Sequence, residues 1–381
     1  MTPIDFLFFD AGGGHRSAAS ALKAVIEEQR RPWEVRLVNL QELLAPLDPF
    51  GRLFGVQLQD LYNLMLRRGW TLGAAQLKAL LQALIRVAHR PQVRLLKRHW
   101  QASRPEVVVS LIPHFNRAVA QSVRHALPGV PFVTILSDLA DYPPHFWIER
   151  ESQYLICGTE RAAQQARELG HTQDRIFRTS GMILQPRFYR TVEKDRAEER
   201  TRLGLVPERP TGLLLFGGYG SKAMLEIARQ IDRAGLPVQL ILICGRNEKL
   251  RLALEADAWR VPRFVEGFTR EVPFYMHLAD FMIGKPGPGS ISEAIAMGLP
   301  VIVERNAWTL PQERYNADWV LENGVGLVLH TFRDIVPAVE QMLVPKNLAR
   351  FQENARRIRN CAVYEIPAIL ESVLERHRAA A

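Results

Sequence analysis

The strongest local signal in the sequence is the segment Gly284-Lys285-Pro286-Gly287-Pro288-Gly289-Ser290-Ile291-Ser292-Glu293-Ala294. It follows a short apolar strand, Phe281 to Ile283, and opens a helix that ends near Gly298. Glycines in such a turn let backbone N–H groups approach a ligand, and a helix N-terminus favours negative charge. The segment therefore predicts a diphosphate site that needs no metal. A strand-to-helix turn shaped by its glycines and prolines alone is the alternative.

Polar side chains in and after this segment can bind hydroxyl groups. Glu293 is expected on the first turn of the helix, where its carboxylate can accept hydrogen bonds from the vicinal hydroxyls of a ribose. About twenty residues on, the segment Leu310-Pro311-Gln312-Glu313-Arg314-Tyr315-Asn316 places Gln312 and Glu313 side by side. They can hold sugar hydroxyls, although first-turn polar residues of an ordinary helix explain the same pattern.

The chain contains two halves of similar pattern, each opening with a strand, a glycine-rich turn and a helix. The first half opens with strand Ile4 to Phe9 and helix Ser17 to Glu28, and the second with strand Gly212 to Phe216 and helix Lys222 to Ala234. Further strands are predicted at Glu34 to Leu40, Val107 to Leu111, Phe132 to Leu136, Tyr154 to Cys157, Val238 to Cys244, Arg263 to Glu266 and Pro300 to Glu304. Alternating strands and helices predict parallel sheets covered by helices.

The fold class is therefore α/β, with two Rossmann-like domains facing each other across a cleft. The apolar pattern lapses from Gln185 to Pro210, and charged residues dominate from Glu193 to Arg202. The predicted domains are 1–188 and 189–354. The stretch from Ala349 to Arg378 reads as helical, and residues from about 355 to 381 are expected to pack back on the first domain.

The first glycine turn, Asp10-Ala11-Gly12-Gly13-Gly14-His15-Arg16-Ser17, matches neither common nucleotide-binding glycine motif. Gly12, Gly13 and Gly14 are candidates for an acceptor or phosphate loop. His15 sits where a helix begins, and the positive helix end favours a neutral imidazole that can accept a proton. Asp138, after strand Phe132 to Leu136, is a second candidate base or a partner for His15. Helix capping by either residue remains an alternative.

The second glycine turn, Gly217-Gly218-Tyr219-Gly220-Ser221, can reach the same phosphates from another loop. An ordinary strand-to-helix turn is the alternative. Gly217, Gly218 and Ser221 are the candidate donor-binding residues of this turn.

Composition limits the protein class. The chain has 381 residues, enough for two domains, with 47% hydrophobic and 23% charged residues, as in ordinary globular proteins. Its three cysteines, Cys157, Cys244 and Cys361, are far apart, which argues against a zinc site or a disulfide framework and fits a reduced cytoplasmic setting. Neither a transmembrane segment nor a signal peptide is expected.

The net charge of +9 is unevenly placed. From Phe50 to Arg104 only Asp60 opposes ten basic residues, namely Arg52, Arg67, Arg68, Lys78, Arg86, Arg90, Arg94, Lys97, Arg98 and Arg104. Such a segment predicts an acidic partner, either anionic lipid or nucleic acid. No ladder of basic and aromatic residues supports nucleic acid. We therefore expect a peripheral protein on the cytoplasmic face of a membrane, although helices covering the flank of the domain would also fit.

Taken together, these motifs resemble the family of monogalactosyldiacylglycerol synthases and processive diacylglycerol glucosyltransferases. The lipid-II N-acetylglucosaminyltransferase is a more distant likeness. Nine motifs in order carry the resemblance: GGGHRSA (Gly12 to Ala18), LYNLMLRRGW (Leu61 to Trp70), SDL (Ser137 to Leu139), SGMILQPRF (Ser180 to Phe188), FGGYGS (Phe216 to Ser221), CGRNEKL (Cys244 to Leu250), EGFTREV (Glu266 to Val272), KPGPGSISEA (Lys285 to Ala294) and QERYNA (Gln312 to Ala317).

The resemblance implies a GT-B fold, a UDP-hexose donor, a lipid acceptor, inversion at the anomeric carbon and no metal or cofactor. It implies that Phe268 packs against uracil and that the backbone of Gly287, Pro288, Gly289 and Ser290 holds the diphosphate. The same resemblance adds Arg246 and Asn316 to the donor-binding residues, with His15 as the base and Asp138 as the second choice. The family usually has Thr-Asp where this chain has Ser137-Asp138, and the segment Leu139 to Trp147 matches neither branch, so the acceptor stays open.

Two other functions remain compatible with the sequence. A UDP-sugar epimerase of the same architecture would need acid and base carboxylates but no lipid. A non-enzymatic nucleotide- or nucleic-acid-binding protein is suggested by charge alone.

Overall fold

The structure is a computed structural model that describes residues 1–10, 14–47, 85, 87–256 and 258–380. Strands in these residues are β1 (Thr2–Phe8), β2 (Trp33–Asn39), β3 (Val107–Ser110), β4 (Phe132–Ile135), β5 (Tyr154–Cys157), β6 (Ile176–Arg178), β7 (Thr211–Leu215), β8 (Gln239–Ile243), β9 (Arg263–Glu266), β10 (Phe281–Gly284), β11 (Val301–Glu304) and β12 (Gly326–Leu329).

Helices in the same residues are α1 (Gly14–Glu28), α2 (Leu40–Leu44), α3 (His89–Ser103), α4 (Asn116–Ala126), α5 (Glu160–Glu168), α6 (Arg196–Arg202), α7 (Lys222–Ala234), α8 (Glu248–Ala256), α9 (Val272–Leu278), α10 (Pro288–Ala296), α11 (Arg314–Glu322), α12 (Ile335–Leu343), α13 (Pro345–Arg357) and α14 (Ala362–Ala380). Short 3-10 turns add Ala45–Leu47, Gln173–Arg175, Pro186–Phe188, Pro311–Glu313 and Phe332–Asp334.

The chain divides into two compact units, each with its own parallel sheet. Unit 1 comprises Met1–Pro186 and Asn360–Ala381, and unit 2 comprises Arg187–Arg359. The boundary predicted from the sequence lies two residues later, between residues 188 and 189.

The sheet of unit 1 has the order β2-β1-β3-β4-β5-β6, with every neighbouring pair parallel. Strand order reverses between β1 and β3, and open α/β sheets bind ligands at such a reversal, beyond the carboxyl ends of the strands. All four residues of β3 are buried, as expected for a strand covered on both faces. Leu96 and Trp100 of α3 are fully buried in the core of this unit.

The sheet of unit 2 has the order β12-β11-β10-β7-β8-β9, and it is also parallel throughout. Its strand order reverses between β10 and β7. The five buried residues of β7 and of β8 and the four of β10 form its centre. The GT-B expectation of two Rossmann-like halves is thus confirmed at the level of each sheet.

The prediction of one helical stretch from Ala349 to Arg378 is wrong, because the helix breaks between Arg357 and Ala362. At the break, the Asn360 side chain donates to the Met182 carbonyl at 2.9 Å. The Cys361 N–H donates to Ser180 Oγ at 2.7 Å. These bonds attach the chain to unit 1, so α13 belongs to unit 2 and α14 to unit 1.

The charged stretch from Glu193 to Arg202, where the lapse of the apolar pattern suggested the domain boundary, lies inside unit 2. It contains α6, whose Arg200 is buried and donates to the Leu278 carbonyl and to Asp280 Oδ2, the latter at 2.8 Å. Asp280 Oδ2 in turn accepts from the N–H of Thr211 at 2.7 Å. The ion pair and these hydrogen bonds thus hold α6 in place within unit 2.

Among the helices that the structure describes, none has both the length and the apolar character to span a membrane.

Candidate active site

The turns after β7 and β10 meet at the strand reversal of unit 2. A Cβ on Gly284 would lie 2.5 Å from the carbonyl oxygen of Leu215, so this close strand pairing requires a glycine. A Cβ on Gly217, which has a φ of +77°, would lie 3.8 Å from Lys285 Cε. The two glycine turns that the sequence identified separately therefore form one surface.

Backbone donors are exposed where α10 begins. Gly287 is the N-cap residue with extended backbone, and Pro288 occupies the first helical position, which needs no N–H partner. Ser290 Oγ donates to the Gly287 carbonyl at 3.2 Å. The first-turn N–H groups of Gly289 and Ser290 make no hydrogen bond to another described residue, as is usual for the start of a helix. The space around Gly289 is open to 4 Å. This arrangement suits an anion.

Side chains from the following loop hold the turn in place. Lys285 Nζ lies 3.1 Å from Glu313 Oε1, which joins the turn after β10 to the segment after β11. Asn316 is fully buried, and its Nδ2 donates to the Pro286 carbonyl at 2.8 Å. Asn316 therefore supports the turn from beneath. No role for Lys285 was predicted from the sequence, although it stands beside Gly284 in the same segment.

Glu293 lies one turn further into the helix than predicted, since α10 has no acidic residue in its first turn. The side chain is half-buried. Burial raises the pKa of Glu293 to about 7, and the nearby positive charge of Arg187 opposes this shift. No hydrogen bond from another described residue to its carboxylate is present. The carboxylate is thus positioned to gain a partner from a ligand.

The turns after β7 and β8 pack backbone against backbone. The Arg246 N–H donates to the Gly218 carbonyl at 2.9 Å. A Cβ on Gly245, whose φ is +60°, would lie only 2.4 Å from the same oxygen. Ser221 Oγ accepts from the Ala223 N–H at 3.2 Å and so caps α7. The sequence analysis had named Ser221 as a residue that binds the sugar donor.

Phe268 follows β9 at the same edge of the sheet and is 54% exposed. The Arg246 guanidinium lies 4.8 Å above the centre of its ring. An exposed phenyl ring beside a cation offers a stacking surface to a planar base. Gln312 and Glu313 lie after β11, in the 3-10 turn Pro311–Glu313.

His15 lies at the strand reversal of unit 1, in the first turn of α1. Its Nδ1 lies 3.2 Å from Ser137 Oγ. The rings of Phe9 and Trp147 pack near the imidazole, with centroids at 6.4 and 5.8 Å. Burial lowers the pKa of His15 to about 4, against a smaller opposing effect of the Leu111 backbone carbonyl. The imidazole is therefore neutral at pH 7 and able to accept a proton.

Asp138 is buried, and its Oδ2 accepts from the indole N–H of Trp147 at 2.8 Å. Asp141, which the sequence did not single out, accepts from the backbone N–H groups of His145, Phe146 and Trp147. These bonds fix the unusual segment Leu139 to Trp147 and hold Trp147 fully buried against the histidine.

Gly12, Gly13 and the segment Leu61 to Trp70 lie outside the described residues, as does much of the basic segment Phe50 to Arg104. Gly14 begins α1 and is exposed. In the part of the chain that is described, no three His, Cys, Asp or Glu side chains converge as a metal site would require.

Comparison with known proteins identifies the class. Residues 213–337 match the glycosyltransferase family 28 C-terminal domain. The chain is 30% identical over 394 residues to the chloroplastic monogalactosyldiacylglycerol synthase of Spinacia oleracea, covering 97% of this chain and 72% of that one. MurG of Acinetobacter baumannii shares the fold with a TM-score of 0.63 and 15% identity, over 98% and 100% of the two chains. A UDP-GlcNAc 2-epimerase of Neisseria meningitidis, solved with UDP-GlcNAc, has a TM-score of 0.59 and 14% identity, over 98% and 100%.

The two doubly wound units and these likenesses define a GT-B glycosyltransferase. Within that class, the chain belongs to the monogalactosyldiacylglycerol synthase family.

Proposed function

We propose that this enzyme transfers a hexose, galactose or glucose, from a UDP-sugar to a lipid alcohol, with diacylglycerol as the acceptor. The transfer inverts the anomeric carbon and requires no metal. The observation that carries this proposal is the start of α10, where free backbone donors at a helix N-terminus lie at the strand reversal between β7 and β10.

The departing UDP needs stabilisation of its developing negative charge. Preorganised N–H donors and the helix dipole supply this stabilisation. Because they are already oriented, they need no reorganisation during the reaction. Gly289 and Ser290 provide the donors, and Gly217 and Gly218 form the neighbouring wall. These features support a leaving group held without a metal.

The remaining parts of the donor follow along the same edge of the sheet. The exposed ring of Phe268 stacks on uracil, with Arg246 beside it. Glu293 accepts hydrogen bonds from the ribose hydroxyls. Gln312 and Glu313 contact the hexose, and Lys285 keeps Glu313 in place.

His15 accepts the proton of the acceptor hydroxyl. Its burial keeps the ring neutral, and the 3.2 Å contact with Ser137 occupies Nδ1. When Nδ1 carries the proton and donates a hydrogen bond to the Ser137 oxygen, the lone pair of Nε2 is left to accept the proton of the acceptor hydroxyl. A third group that orients a catalytic histidine in this way fixes its tautomer. Asp138, engaged by the Trp147 indole, is the second choice.

A lipid acceptor is favoured by the name of the plant relative and by the charge of α3. Helix α3 carries no acidic residue, and Arg90, Arg94 and Arg98 are exposed on the side away from buried Leu96 and Trp100. A basic face of this kind attracts anionic lipid headgroups. We therefore place the enzyme at the cytoplasmic face of a membrane, without nucleic acid as a partner.

The test is an incubation of the protein with radiolabelled UDP-galactose or UDP-glucose and vesicles containing diacylglycerol, with and without EDTA. The proposal expects a labelled glycolipid of inverted anomeric configuration that forms equally well with EDTA. Conversion of the UDP-sugar without any lipid would instead support the epimerase alternative, since an epimerase shares this fold.

A further inference from the structure

The exposed aromatic side chains of the described residues are concentrated at one place. Tyr219, Phe268 and Trp308 are 41%, 54% and 50% exposed, and they follow β7, β9 and β11 respectively. Because the sheet is parallel, all three loops lie at the carboxyl edge of unit 2, which is the edge of the proposed donor site. Phe268 has a proposed partner in uracil, whereas the sequence and the comparisons assign nothing to Trp308.

The loop that carries Trp308 is fixed on both sides of the indole. Asn306 Oδ1 accepts from the Trp308 N–H at 2.8 Å, and Asn306 Nδ2 donates to the His330 carbonyl at 3.0 Å. Thr309 Oγ1 accepts from the Asn306 N–H at 3.0 Å, and Arg314 Nε donates to the Thr309 carbonyl at 3.3 Å. The backbone is thus held while the indole projects into solvent.

Within the described residues, the indole of Trp308 makes no hydrogen bond, ring contact or cation–π contact. An aromatic side chain gains free energy when its surface leaves water, so this surface is available for a ligand. A tied backbone also reduces the entropy lost when a ligand stacks on the ring.

The position of Trp308 matches the sugar end of the donor. From β9 to β11 the sheet order crosses four strand spacings, which amounts to about 19 Å at ~4.8 Å each. Phe268 stands at one end of this span, the anion-binding turn after β10 lies between, and Trp308 stands at the other end. Gln312 and Glu313 follow Trp308 by four and five residues in the same connection.

We propose that Trp308 is a stacking platform for the hexose of the UDP-sugar and a determinant of donor affinity. This inference rests on the proposed function of the same edge. A pyranose ring has one face made largely of C–H groups, which packs on an indole, while its hydroxyls point outward to polar groups such as Gln312 and Glu313. Phe268 and Trp308 then hold the two ends of one donor.

The test compares binding of UDP-galactose, UDP-glucose and UDP to the full-length wild type, Trp308→Leu and Trp308→Phe by calorimetry. We expect Trp308→Leu to weaken the binding of the preferred UDP-hexose about threefold to tenfold, whereas the affinity for UDP stays within about twofold of the wild type. Trp308→Phe should keep most of the affinity. Leu252→Ala, at a side chain of α8 that is 52% exposed, is the matched control and should change the affinity for neither ligand.

Fluorescence gives a readout without turnover. The wild-type emission minus that of Trp308→Phe should change on addition of the UDP-hexose and stay constant with UDP. Equal weakening of UDP and UDP-hexose in Trp308→Leu would overturn the proposal, and so would unchanged affinity for both. Loss of vesicle binding with unchanged UDP-hexose affinity would show that the indole contacts lipid instead. A wild type that binds UDP-hexose but makes no glycolipid would contradict the proposed function and leave this binding test intact.

Discussion

Ser137 Oγ lies 3.2 Å from Nδ1 of His15, although 122 positions separate the two residues in the chain. The contact joins the start of α1 to the loop after β4 at the strand reversal of unit 1. It assigns an orienting role to the hydroxyl, whereas the sequence analysis named the adjacent carboxylate of Asp138 as the partner of His15.

Removal of this hydroxyl should impair turnover more than donor binding. We expect Ser137→Ala to lower kcat about tenfold to a hundredfold, because the imidazole loses one of its two orienting partners and keeps only the Leu111 carbonyl. Ser137→Thr keeps the hydroxyl and should retain most of the activity. Steady-state kinetics with calorimetric UDP-hexose binding would check this, and equal activity of the Ala and wild-type proteins would remove the orienting role.

A carboxylate at the same position should change the pH profile. The pKa of His15 is held near 4 by burial, so kcat/KM for the acceptor at saturating donor should stay level from pH 7 down to about pH 5. In Ser137→Asp, a negative charge beside the ring favours imidazolium and should move the acid limb upward by about 1–2 units. Ser137→Asn serves as the uncharged control. An acid limb already near pH 6.5 in the wild type would contradict the assigned environment.

The depressed pKa of His15 also affects stability. The folded protein binds fewer protons at this ring than the unfolded chain between about pH 6.5 and 4, so the contribution of His15 to stability falls as pH falls through that window.

Donor affinity should depend on the ionisation of Glu293. Its pKa is raised to about 7 in the free protein, and hydrogen bonds from ribose hydroxyls favour the charged form. Binding should therefore release a proton, and UDP-hexose affinity should rise as pH increases from about 6 to 8. Calorimetry in two buffers of different ionisation enthalpy would measure this proton. Glu293→Gln should bind the UDP-hexose more weakly and without the pH dependence. A pH dependence that persists in this variant would show that another group titrates.

Two glycines should respond differently to the same substitution. Gly245→Ala places a Cβ 2.4 Å from a backbone oxygen at a φ of +60°, so we expect a clear loss of thermal stability, about 1–3 kcal/mol. Gly289→Ala meets no protein atom within 4 Å and should leave the melting temperature nearly unchanged. Gly289→Ala should still weaken the binding of UDP, since the added methyl group occupies space at the proposed diphosphate site. Unchanged UDP affinity in a stable Gly289→Ala protein would count against this turn as the phosphate site.

The sequence predicted most of the fold because buried parallel strands form short apolar runs between recognisable turns. It missed β6 and β12, where only Ile176 and Gly326 are buried, so the hydrophobic pattern is weak. It also missed the break before α14, because that break depends on Asn360 reaching the Met182 carbonyl, a contact 178 residues distant in sequence.

The candidate site was predicted less completely, since side-chain direction is a tertiary property. Neighbouring residues of an extended chain point to opposite sides, and the sequence did not distinguish Ser137 from Asp138 as the residue facing His15. Likewise, the QERYNA motif suggested that Asn316 binds the donor, while the helix periodicity of α11 turns this side chain inward beneath Pro286. Lys285 stands in the KPGPGSISEA motif but had no role assigned to it, and Trp308 lies outside every motif.

The central claim is that His15 acts on the acceptor while a separate site in unit 2 binds the donor. The most direct measurement is single-turnover transfer by His15→Ala, with UDP-hexose affinity measured on the same protein and with His125→Ala, an exposed histidine of α4 in unit 1, as the control. The account predicts a rate about a hundredfold to ten-thousandfold lower for His15→Ala, unchanged donor affinity, and normal activity for His125→Ala. Full activity of His15→Ala would contradict it.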